Sequence, residues 1–106
     1  MAGRKPRRQL LCEYLSQMLR DDFKSYIISK LNIRASWLLI EGVKGSYTRR
    51  GIRIVFGHVK ESLIKEVNDT IRPYLTTQDY ELLMDFIEDQ VTFTSNLTVE
   101  QLGGIL

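Results

Sequence analysis

Cysteine and histidine each occur once, as Cys12 and His58, and proline only twice in 106 residues. A single cysteine excludes a disulfide framework within the chain and suits a reducing compartment. A single histidine excludes every metal or catalytic scheme that needs two. Long apolar runs are missing as well. The longest stretch without a charged side chain, Gln90 to Val99, is largely Thr, Ser, Asn and Gln. It falls far short of the ~20 apolar residues of a membrane helix. The first apolar run, Leu10-Leu11-Cys12, stops at Glu13, whereas a secretory leader needs ~7–15 apolar residues. The Asn-x-Thr triplets at Asn68 and Asn96 therefore carry no glycosylation meaning, and the expected location is the cytoplasm.

What is present suits a single folded domain: 43% apolar and 26% charged residues, enough for one core without metal or disulfide staples. The net charge of +2 conceals a gradient. Residues 1–60 carry thirteen bases against four acids, and residues 61–106 two bases against nine acids. Such asymmetry points to an acidic partner at the basic end, to self-association, or to two halves that neutralise each other.

The pattern predicts a flexible basic arm over residues 1–8 and one α+β domain over residues 9–106. From Gln9, the line Leu11, Leu15, Met18 reads as an amphipathic helix. Asp22 would fall on the same line, so a break at Asp21-Asp22 is expected. Ala35 to Glu41 is a short, almost wholly apolar run, and Gly51 to Gly57 alternates Ile52, Ile54 and Phe56 with Arg53. Both read as strands of a hairpin with a basic tip. Val59 to Ile71 reads as a helix that Pro73 terminates. Thr76 or Thr77 caps a helix over Gln78 to Asp89, whose broad apolar arc implies burial on two sides, against the sheet and against something else. Val91 to Thr94 reads as a third strand, and the Gly103 to Leu106 tail as a fourth. The order is α-β-β-α-α-β, with the helices on one face of a three- to four-stranded sheet. The expected core includes Leu11, Leu15, Met18, Trp37, Leu39, Ile52, Ile54, Phe56, Leu63, Val67, Leu83, Met84, Ile87 and Phe93.

No catalytic or cofactor-binding spacing is complete, so a non-enzymatic protein without cofactor or metal is expected. Ser62-Leu63-Ile64-Lys65 matches Ser-x-x-Lys, but the Ser-Asp-Asn and Lys-Thr-Gly elements of that chemistry are missing. Cys12 reads as a buried thiol and His58 as structural. Asp85, Glu88 and Asp89 read as a solvated acidic face. The basic residues carry more weight. Arg4, Lys5, Arg7 and Arg8 would neutralise phosphates, and Lys44, Arg49 and Arg50 would orient the hairpin tip, with Tyr47 available to stack on a base. Nucleic acid is the first partner this suggests. Leu82 and Phe86, on the broad arc of the last helix, form the candidate protein interface, either for a homodimer or for an adaptor's partner.

The element order invites comparison with KH domains, whose Gly-x-x-Gly clamp is absent from residues 72–77. A second likeness lies in the residues themselves. Tyr14-Leu15-Ser16-Gln17-Met18-Leu19-Arg20-Asp21-Asp22-Phe23 resembles the opening helix of the small bacterial MpsC-like family. The segment from Asn96-Leu97-Thr98 to Gly104-Ile105-Leu106 is similar to that family's closing segment. The resemblance implies an association with membrane-potential-generating systems, and no catalytic residues follow from it.

Overall fold

The computed structural model describes residues 6–43 and 47–102. They form three helices: α1 over Arg7–Val43, α2 over Arg49–Thr70 and α3 over Thr77–Gln101, with a 3-10 turn at Arg72–Tyr74 before α3. No strand is present among the described residues, so the fold is all-α and the expected α+β architecture is corrected. The two hairpin strands lie in the last turns of α1 and the first turns of α2, and the third strand lies within α3. The tail expected as a fourth strand, Gly103 to Leu106, is outside the described residues.

Each correction has a local cause. In α1, Leu38 is buried while its neighbours Trp37 and Ile40 are about half exposed. The run is apolar all round the helix, and it imitates a buried strand because no helical period shows in it. In α2, Ile52 and Phe56 are one turn apart and fully buried, whereas Ile54 sits across the helix and is 51% exposed. What resembled alternation is an i, i+4 pair with an outlier. Thr48 starts α2: its Oγ1 accepts the Gly51 N–H at 3.0 Å, an N-cap arrangement. In α3, Val91, Thr94, Ser95 and Thr98 are buried at helical spacing and Phe93 is 62% exposed. The Thr98 hydroxyl donates to the Thr94 carbonyl at 2.7 Å, which lets a hydroxyl enter the interior satisfied.

α1 runs unbroken through Asp21-Asp22, because that side of the helix faces outward and Asp22 is exposed. The helix also begins at Arg7, so Arg7 and Arg8 belong to its first turn rather than to a flexible arm. The stop at Pro73 is as expected, with α2 closing at Thr70 and Ile71 as its C-cap.

Ser16 on α1 touches the start of α3, and Lys24 lies over Phe86, so α1 and α3 run parallel. Tyr26 meets Glu66, while Arg34 shares a cleft with Val55 and His58, so α2 runs the opposite way. The up-down-up arrangement is elongated, 64 × 23 × 17 Å. α3 packs along both other helices, and α1 and α2 approach each other much less; no sheet covers α3, and Leu82 on its broad arc is exposed. The core joins Ile27, Leu31 and Leu38 of α1 to Ile52, Phe56, Leu63 and Val67 of α2 and Leu83, Ile87 and Val91 of α3. Of the expected core residues, Leu11, Leu15, Met18, Trp37, Ile54 and Phe93 are exposed, and Leu39 and Met84 are partly buried against the core.

Candidate functional site

The sequence-predicted basic residues do not form one surface. Arg7 and Arg8 are exposed on the first turn of α1, and Arg49 and Arg50 are exposed on the first turn of α2. α1 separates the two clusters, and its 37 residues span about 55 Å at 1.5 Å per residue. Arg4, Lys5 and Lys44 lie outside the described residues. Tyr47 is half-buried, with its ring in a T-shaped contact with Trp37 at 5.8 Å between centroids. The hairpin tip expected to carry these groups is a helix–helix connection.

Two polar arrangements went unnoticed in the sequence. At the base, where α3 begins beside α1, Ser16 is fully buried and Asp79 nearly so. The Asp79 carboxylate accepts from the Ser16 hydroxyl at 2.5 Å, the Thr76 hydroxyl at 3.0 Å and the Arg20 guanidinium at 2.7 Å. The Ser16 oxygen in turn accepts the Thr76 N–H at 2.8 Å, and the Asp79 N–H donates to Thr76 Oγ1 at 3.1 Å. Thr76 and Asp79 thus form a capping box that α1 completes. Burial pushes the Asp79 carboxyl up, but the hydrogen bonds from Ser16 and Thr76 and the charge of Arg20 outweigh it. The group is held below the ordinary carboxylate range. The cluster sets the register of α1 on α3, with Ser16 fully buried inside it. The Thr-x-x-Asp spacing was its one sequence signal.

The second arrangement is a cleft of about 310 Å³ between α1 and α2, lined by Lys30, Arg34, His58, Ser62 and Glu66 with apolar Val55, Val59 and Leu63. His58, Ser62 and Glu66 follow one another along α2 at four-residue steps. No hydrogen bond joins His58 to Ser62, and Glu66 accepts from the Tyr26 hydroxyl at 2.7 Å. The three do not make a nucleophile–base relay. Cys12, expected to be buried, is exposed. Among the described residues no cluster of three or more His, Cys, Asp or Glu could hold a metal ion, and no helix is long and apolar enough to cross a membrane.

An unpartnered apolar surface runs along α3. Leu82, Phe86, Phe93 and Leu97 fall on one line of the helix, at intervals of four and seven residues. Leu82, Phe93 and Leu97 are 42, 62 and 40% exposed. Phe86 is half-buried and carries the Lys24 ammonium 5.2 Å from its ring centre, so the line lies along the α1 side of α3. Ile28 of α1, one turn beyond Lys24, is exposed as well. Exposed Asp89 falls on the line itself, between Phe86 and Phe93, and exposed Asp85 stands beside it; neither has a partner among the described residues. Glu81 and Glu88 lie farther round the helix, and Glu88 pairs with Lys60 of α2. Of the two expected interface residues, Leu82 is on the open part of this line, and Phe86 is half covered. Phe93 and Leu97 extend the line and were missed because their segment read as a strand and a tail. Comparison with protein-family models, curated proteins and solved structures gives no match.

Proposed function

We propose that this chain is a non-catalytic helical adaptor whose α1–α3 face receives an amphipathic helix of a partner protein. The carrying observation is the open line of Leu82, Phe93 and Leu97 with the unpaired acids Asp85 and Asp89 beside and within it. An apolar line with three exposed large side chains is the surface that helix-in-groove recognition uses. The acidic flank selects a helix whose own flank is basic, through steering and through repulsion of acidic competitors. Nucleic acid is the weaker reading, since the two basic clusters sit at opposite ends of α1.

The test is fluorescence anisotropy with two labelled amphipathic peptides that share one apolar face and differ in flanking charge. The lysine-flanked peptide should bind, weaken with salt, and lose most of its affinity to a Phe93→Asp variant. The glutamate-flanked peptide should not bind. Equal affinity for both peptides, or no loss in Phe93→Asp, overturns this reading. Oligonucleotides titrated in the same assay decide the rival: binding that disappears in an Arg7→Glu, Arg8→Glu variant returns the function to nucleic acid.

A further inference from the structure

The first four turns of α1 present a second open surface, independent of the α1–α3 face. Leu10, Leu11, Tyr14, Leu15 and Met18 are 44 to 64% exposed, and a shallow groove runs over Arg7, Arg8, Leu11 and Leu15. On a helix of 100° per residue these side chains share the arc opposite Ser16, which faces α3. The arc is therefore turned away from the bundle. Its sequence is complementary about its centre, apolar against apolar and basic against acidic. Counting outward from between Tyr14 and Leu15, Leu11 matches Met18, Leu10 matches Leu19, Arg8 matches Asp21 and Arg7 matches Asp22.

We infer that this arc is the seam of a two-fold homodimer in which α1 of one copy packs antiparallel on α1 of another. A two-fold interface requires that if residue i meets j, then j meets i, and an antiparallel pair centred on Tyr14 and Leu15 satisfies this for the whole arc. Leucine and methionine meet across the middle. Each arginine pair meets the other copy's aspartate pair at the ends, whereas a parallel pair would set arginine against arginine. Two further observations fit. The first turn of α1 contains no acid, and Arg7 and Arg8 sit where the helix dipole disfavours positive charge. The partner's Asp21 and Asp22 would relieve this. The line Leu11, Leu15, Met18 also turns polar after Asp22, at Ser25 and Ser29, which is where a partner helix starting at its Arg7 would end. Four turns make a seam smaller than the ~1,600 Å² of a standard interface, so the dimer dissociates on dilution.

Sedimentation velocity on the full chain tests the seam through a charge exchange. The wild type should pass from the 12.4 kDa monomer to a dimer as concentration rises through the micromolar range. Arg7→Glu with Arg8→Glu should sediment as a monomer, and so should Asp21→Arg with Asp22→Arg. An equimolar mixture of the two variants should regain the dimer, since every end then pairs opposite charges. That rescue also proves both variants folded. A wild type that stays monomeric at high micromolar concentration overturns the inference. So does a dimer that survives either exchange, which would place the interface elsewhere, or a mixture that stays monomeric. A monomer that instead floats with anionic vesicles assigns the arc to lipid and overturns it equally.

Discussion

The two halves of α1 hold similar side chains at opposite extremes of burial. Ile27, Leu31 and Leu38 are at most 1% exposed, whereas Leu11, Leu15 and Met18 are 61, 44 and 44% exposed. Both sets have helical spacing, but their lines lie on nearly opposite sides of the helix. Near the base the inward side carries Ser16 and Arg20, which Asp79 satisfies, and the apolar residues point away. Higher up, the inward side is apolar. An amphipathic stripe marks a surface that is to be covered, and its partner need not be the chain's own core.

The largest effect expected from this contrast is at Leu31. Leu31→Ala removes a side chain that is 1% exposed and should cost ~2–5 kcal/mol in urea unfolding. Leu11→Ala, measured where the chain is monomeric, should stay within ~0.5 kcal/mol of wild type. A comparable loss at both sites would erase the distinction between the two halves.

The base of α1 comes next. Asp79→Asn leaves Arg20 without its carboxylate and weakens the bonds to Ser16 and Thr76, at a cost of ~2–4 kcal/mol. Because the Asp79 carboxyl is held below its ordinary value, its contribution to stability is complete above ~pH 4. It is lost as pH falls through the lowered native value. Chemical unfolding followed from neutral pH downward should therefore show a steep acid loss in wild type that Asp79→Asn largely lacks. A parallel pH profile for the two proteins would show that the carboxylate is not what holds α1 to α3.

Much of the helical skeleton was legible, and the reasons for the rest are specific. The helical spacing of Leu63 and Val67, the stop before Pro73 and the cap at Thr76 are all local signals, and the structure keeps them. The strands were misread where apolar residues surround a helix: Trp37, Ile40, Ile54 and Phe93 are exposed, so they blur the 3.6-residue period that burial alone would show. Gly51 and Gly57 added to the impression of a bounded strand, yet both lie within α2. The break expected at Asp22 followed from assuming that the stripe of Leu11 faces the core. At the candidate site, Leu82 was legible from the excess width of the apolar arc. Phe93 and Leu97 were not, because their place on the same line appears only once α3 is known to continue to Gln101.

The smallest effect sharpens the helix assignment of α2. A Cβ built on Gly57 meets nothing within 4 Å, so Gly57→Ala should stabilise the chain by ~0.5–1 kcal/mol, as alanine does in an open helix interior. Destabilisation, measured as a lower midpoint in thermal or urea unfolding, would indicate a turn at Gly57 instead.

The distinction between covered surface and core rests most directly on one substitution, Leu15→Glu, followed by sedimentation velocity with far-ultraviolet circular dichroism on the same samples. It should keep the wild-type helicity and thermal midpoint of the dilute protein while remaining a 12.4 kDa monomer at concentrations where wild type dimerises. A Leu15→Glu chain that loses its helicity would place the outward arc of α1 in the core and contradict both the fold of the base and the dimer seam.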